Sequence, residues 1–273
     1  MQTENIFTNV FSDNTSGSAT LLQKIKELAA DYLNQADPDL IRLQKDLIGA
    51  AQQLKDFAII IHFIYYFVNE LGKNKEKNKL LEFIKDYSDQ WSSDRAIKQF
   101  SEEISLQNKT VLIHSNSSTI QQMLLNYRGP IHKLSLIQTY SSPAGEGLTQ
   151  AQRLSENGFN VTLIHENNAW NHAGNIAIYL FGADRIEEER FLNKSGTAQL
   201  CLMAGDFNQP AYVVADARKK VVKNFYTFLG IPYPESIDEK APEELCGKTK
   251  RKFEVSNQYF EWIPNRLITK IYS

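Results

Sequence analysis

The sequence predicts an α/β protein in two parts: a helical N-terminal domain over residues 1–107, then a mostly parallel sheet with helices on both faces over residues 108–273. Two observations carry this reading. No glycine occurs between Gly72 and Gly129 and no proline between Pro38 and Pro130, which leaves room for long helices. From about Asn108 onward, short runs of branched apolar residues alternate with amphipathic stretches, the pattern of strands joined by crossover helices.

Taken in order, Ser16 or Ser18 is placed to cap a helix through Leu21, Leu22, Ile25, Leu28 and Ala29, which share one face. Pro38 punctuates the chain, and Asp37 or Asp39 can cap a second helix from about residue 40 to 71, ended by Gly72. Its second half is apolar nearly all round, which predicts burial on several sides. A lysine-rich turn over 73–79 leads to a helix through Leu80, Leu81, Phe83, Ile84 and Tyr87. Residues 110–114 read as a strand, 115–119 as a polar turn, and the stretch to Leu125 as a helix. Further strands are expected at 133–139, 160–164, 176–181 and 210–215, with helices at 148–157 (closed by Gly158) and 197–204. Residues 233–252 lack periodicity and read as a surface excursion.

Composition narrows the function classes. Thirty basic residues against 32 acidic ones give no support for nucleic-acid binding through phosphate neutralisation. Two cysteines, Cys201 and Cys246, are too few for a disulfide framework, and no histidine pair has convincing metal spacing, so no metal is expected. The segment from Met1 to Asn14 lacks the basic start and apolar core of a signal peptide. The longest apolar stretch, 57–68, falls short of the ~20 residues that span a bilayer. The expected location is the cytoplasm, with no membrane contact. No G-x-G-x-x-G, Walker A, H-E-x-x-H or G-x-S-x-G sequence is present, so no cofactor is expected.

In a parallel sheet, ligands sit at the carboxyl ends of the strands. That selects residues 114–119, 139–147, 165–170 and 182–196. Three signals stand there. Ser115-Asn116-Ser117-Ser118-Thr119 opens a helix, where free amides and hydroxyls favour an anion, although an ordinary serine-rich cap gives the same pattern. Asp184 lies just past a buried strand, where a carboxylate can act as a base, or can simply cap or pair with Arg185. Asn193-Lys194-Ser195-Gly196-Thr197 precedes another helix; Lys194 can neutralise a phosphate and Asn193 can bond a hydroxyl, or the segment is a solvated turn. His114 and His165 follow strands and read as core-edge histidines as readily as catalytic ones.

These strings, with Val161-Thr-Leu-Ile164, Glu166, Ala169, Gly182-Ala-Asp-Arg-Ile186, Pro210-Ala-Tyr-Val213 and Phe260-Glu-Trp-Ile-Pro264, resemble the initiation factor 2B alpha/beta/delta superfamily, which also contains methylthioribose-1-phosphate and ribose-1,5-bisphosphate isomerases. The segment Thr15-Ser-Gly-Ser-Ala-Thr20 resembles the small-residue stretch that opens a helix and helps bind the ligand, which implicates Gly17 and Ser18. The resemblance implies a Rossmann-like C-terminal domain, a phosphorylated small-molecule ligand, homo-oligomers and a translation-factor-like protein partner. The isomerases use a cysteine and an aspartate. Asp184 matches the aspartate, Ser115 stands at the cysteine position, Ser142 stands where an arginine is expected before Pro143, and Glu146 matches the Gln or Glu that follows. A hydroxyl is far less acidic than a thiol, so the cysteine's role does not transfer readily. Two functions follow: a non-catalytic, regulatory binder of a sugar phosphate or nucleotide, or an aldose–ketose isomerase of a phosphorylated pentose.

Overall fold

The computed structural model describes residues 4–13, 16–90, 94–220, 222–237 and 239–273; Thr15 of the N-terminal motif lies outside the described residues. Helices α1 (Thr8–Phe11), α2 (Ser18–Leu33), α3 (Leu40–Gln53), α4 (Ala58–Lys73), α5 (Lys77–Gln90) and α6 (Asp94–Glu103) precede the first strand. The alternating half then runs β1 (Thr110–Ile113), α7 (Ser118–Leu125), β2 (Ser135–Thr139), α8 (Gly147–Glu156), β3 (Asn160–Ile164) and β4 (Ile178–Phe181). It continues with β5 (Arg185–Ile186), β6 (Arg190–Lys194), α9 (Thr197–Asp206), β7 (Ala211–Val214), α10 (Lys223–Leu229), α11 (Glu243–Cys246), β8 (Phe260–Pro264) and β9 (Lys270–Tyr272).

The chain divides into two units, Met1–Ser92 with Asp216–Glu235, and Ser93–Ala215 with Ser236–Ser273. The expected division after residue 107 would put α6 with the N-terminal helices. Here α6 groups with the sheet, because Ala96 and Phe100 bury against strands, Phe100 meeting the rings of Tyr212 and Tyr272. Conversely α10 joins the helical unit through Tyr226 and Leu229.

Within the helical unit, Asp39 caps α3, accepting from the amides of Ile41 and Arg42 at 2.9 and 3.0 Å. Ser16 and Ser18 do not cap α2: Gly17 occupies that position with extended backbone, and Ser18 is the first helical residue and buried. The single helix expected over 40–71 is two helices. The apolar stripe of α3 (Leu43, Leu47, Ala50, Ala51) gives way to the all-round apolar surface of α4, and the polar Lys55-Asp56 step separates them. The break frees the Lys55 carbonyl, and the Tyr226 hydroxyl donates to it at 2.8 Å. On α4, His62 is buried with Nδ1 2.7 Å from the Tyr87 hydroxyl; burial pulls its pKa down to about 4.

In the second unit, a six-stranded parallel sheet has the order β3-β2-β1-β4-β7-β9. Alternate residues face opposite layers. Leu112, Tyr179, Phe181 and Val213 face one core, while Val111, Ile113, Ile178, Leu180 and Val214 face the other. Burial on both faces is why these strands read as continuous apolar runs. From β1 the chain winds outward through β2 and β3, then returns to the other side of β1 as β4. That reversal is a topological switch point, and it opens a crevice beyond the ends of β1 and β4. A second, antiparallel sheet β5-β6-β8 rises from that edge. Residues 193–194 therefore end a buried strand, which is not the solvated turn that the sequence left open as one alternative.

Candidate ligand site at the strand ends

The loop after β1 turns sharply at Ser115, whose φ is +67°. Its amide donates to Ser141 Oγ at 2.8 Å, and Ser141, after β2, also has φ +67°. Left-handed backbone costs a non-glycine residue roughly 1–2 kcal/mol, so these two positions are held by their partners. Ser117 caps α7, accepting from Ile120, and Ser118 is its exposed first residue, which is the ordinary-cap reading of this serine run. Asn116 is half-buried between them. After β4 the chain passes close to this loop: a Cβ on Gly182 would lie 2.5 Å from Ser117 Oγ, so any larger residue would displace the Ser117 side chain that caps α7.

His114 joins the two loops to α9. It is buried, with Nε2 3.1 Å from the Ser195 carbonyl and Nδ1 2.6 Å from Thr139 Oγ1. A carbonyl only accepts, so Nε2 carries the proton and Nδ1 accepts from Thr139. Burial pulls the imidazole pKa down to about 4, with the Glu166 carboxylate opposing the fall. Thr139 Oγ1 is 3.0 Å from Ser141 Oγ, which completes a relay from the Ser115 amide to the histidine. Glu166, at the start of the 3-10 helix Glu166–Asn175, accepts from the amides of Ser141 and Ser142.

Glu146 stands before α8, where Gly147 lets the backbone approach Thr139; a Cβ there would sit 1.9 Å from the Thr139 carbonyl. Glu146 Oε1 accepts from Ser115 Oγ at 3.0 Å and lies 3.1 Å from Lys194 Nζ. Lys194 is 1% exposed, its ammonium 4.3 Å from the centre of the Tyr259 ring. Ser115, Glu146 and Lys194 therefore form one bonded cluster. Asn193 is buried beside it, but its amide donates to Thr197 Oγ1 at 3.0 Å and secures the turn into α9. The start of α9 already holds an anion: the Ala198 amide donates to Glu261 Oε1 at 2.7 Å. Asp184 is half-buried at the edge, its amide donating to the Leu192 carbonyl at 2.8 Å. Arg185 turns away onto Trp262, 4.5 Å from the ring centre, with Glu187 beside it.

The structure thus brings Ser115, Ser117, Glu146, Asp184, Asn193 and Lys194 to one sheet edge. Gly17 and Ser18 belong to the helical unit. Thr139 and Ser141 fall within the stretches selected by topology but carried no signal of their own, and Glu166 was marked only as part of the family resemblance. Tyr259 carried no signal, and Glu261 stood only in a string of the family resemblance; neither could be placed at the site, because they reach it through the antiparallel β6–β8 pairing across some 65 residues of chain. Of the two cysteines, Cys201 is packed in the core with its pKa pushed to about 12 by burial, and Cys246 lies on α11.

A family model described as the initiation factor 2 subunit family matches residues 3–273. The chain belongs to this family. Among its relatives, the ribose 1,5-bisphosphate isomerase of Archaeoglobus fulgidus is 25% identical over 260 residues, covering 93% of this chain and 80% of that protein. Translation initiation factor eIF2B subunit alpha of Dictyostelium discoideum is 28% identical over 196 residues, covering 66% of this chain and 61% of that protein. The solved translation initiation factor eIF-2B of Pyrococcus horikoshii OT3 superposes with a TM-score of 0.74 at 19% identity, covering 98% of this family member and 93% of that chain, which shows the shared fold. No helix among the described residues is long and apolar enough to cross a membrane.

Proposed function

We propose that this family member binds a phosphorylated sugar or a nucleotide at the strand-end crevice as a regulatory, non-catalytic protein. Ser115, Asn116, Ser117, Ser118, Glu146, Asp184, Asn193 and Lys194 are the proposed ligand-binding residues of the sheet unit. The observation that carries the reading is the bonding of Ser115. Its hydroxyl donates to Glu146, a carboxylate already tied to Lys194 and so committed to that ion pair rather than to activating a serine. The adjacent imidazole of His114 has both nitrogens engaged and is not available to do so. The test is a thermal-shift screen against sugar phosphates and nucleotides, since a ligand selective for the native state raises apparent stability. It is paired with NMR of ribose-1,5-bisphosphate and methylthioribose-1-phosphate; binding without turnover supports the reading, and turnover refutes it.

A second reading, an aldose–ketose isomerase of a phosphorylated pentose, draws on the ribose 1,5-bisphosphate isomerase of Archaeoglobus fulgidus and on Asp184 standing just past β4. In that case Asp184 moves the proton between the two carbons and Ser115 only binds.

A further inference from the structure

Lys194 and Glu146 are a cation and a carboxylate held together out of water. Lys194 is 1% exposed and 3.1 Å from Glu146 Oε1. The same oxygen accepts from Ser115 Oγ at 3.0 Å, whereas Glu146 Oε2 is buried and has no hydrogen-bond partner among the described residues. Charge at this point is already balanced. A phosphate dianion brought against Lys194 would also lie beside the Glu146 carboxylate, and like charges repel strongly away from bulk water. A neutral hydroxyl carries no such cost, and it supplies the donor that Oε2 lacks.

We propose that Glu146 is a specificity-determining residue that keeps anionic groups off Lys194. The part of the ligand facing the Glu146–Lys194 pair is then neutral and hydroxyl-bearing, and any phosphoryl group is directed elsewhere along the crevice. This rests on the reading of the strand-end crevice as the ligand site, and it narrows what that site accepts.

Glu146→Gln keeps the shape of the side chain and removes its charge. The probe is inorganic phosphate, titrated by calorimetry into wild type, E146Q and the double variant E146Q/K194M at constant ionic strength. E146Q is expected to bind phosphate at least tenfold more tightly than wild type, and the gain is expected to vanish in the double variant. Equal affinity in wild type and E146Q, no binding by E146Q, or a gain that survives the loss of Lys194 would each overturn the proposal. Should E146Q fail to fold in chloride because Lys194 is buried without its partner, refolding is compared in phosphate and chloride at equal ionic strength. Recovery in phosphate alone supports the proposal, and failure in both overturns it. Failure of the binding reading shows separately, as a wild type that takes up no phosphorylated sugar or nucleotide in the ligand screen.

Discussion

The amide of Ser115 donates to the hydroxyl of Ser141 at 2.8 Å, and both residues take left-handed backbone with φ of +67°. The bond ties the loop after β1 to the loop after β2 across the sheet edge. It also sets the hydroxyl relay that reaches His114 through Thr139. Ser141→Ala removes the acceptor and leaves a part-buried amide without it. Stability is expected to fall by about 1–3 kcal/mol. Urea unfolding measures this; an unchanged midpoint would show that the two loops are not held by this bond.

Restoring a thiol separates the two functional readings. Ser115→Cys changes the volume little, so the fold should survive. On the regulatory reading, neither wild type nor S115C turns over a pentose phosphate, and ligand binding persists in both. Wild-type turnover that Asp184→Asn abolishes would establish the isomerase instead. Turnover gained only in S115C would mark an isomerase scaffold lacking one group.

Breaking the Lys194–Glu146 pair from the lysine side should cost more than removing the whole pair. Lys194→Met strands a largely buried carboxylate, and the expected loss is about 3–5 kcal/mol. E146Q/K194M should recover most of it. Chemical denaturation of the single and double variants checks the order; small and similar losses in both would mark the pair as a mere surface contact.

Both buried histidines make stability depend on pH. His62 and His114 have folded pKa values near 4 against 6.5 when unfolded, burial being the main cause for each. Between those values the unfolded chain binds more protons, so stability falls as pH drops from about 6.5 towards 4. Carboxylates titrate in the lower part of that range, so the difference between proteins is what matters. His62→Gln keeps a partner for the Tyr87 hydroxyl and should flatten the dependence. A His62→Gln curve parallel to wild type would remove this histidine from the account.

A second copy of the chain is the expected partner of the sheet-bearing unit. Trp170 is 59% exposed and packs edge-on against Phe207, and Leu202 on α9 is 60% exposed. Exposed apolar side chains of this size are what an interface between copies would cover. Light scattering at micromolar concentration should give a mass above that of one chain, and a strict monomer would count against it.

Much of the fold was legible in the chain. Short apolar runs located β1, β2, β3, β4 and β7, and apolar residues at three- and four-residue spacing located α2, α5, α7, α8 and α9, because these features are set by local spacing and burial; α6 carried no reading of its own. The strand–turn–helix order alone selected the crevice, and the strings around Asp184 and Lys194 selected the family. The break between α3 and α4 was not legible, since each side continues a helical pattern and only the docking of Tyr226 settles the Lys55 carbonyl. Asn193 and Lys194 were visible as residues but not as a buried strand end, because β6 pairs with β8 across some 65 residues and no local spacing encodes that partner. The charge state of the site was likewise decided in three dimensions. Lys194 in the sequence is a cation before a helix. Folding desolvates it, brings Glu146 to 3.1 Å and sets the Tyr259 ring on it, because a buried charge must find an opposite one.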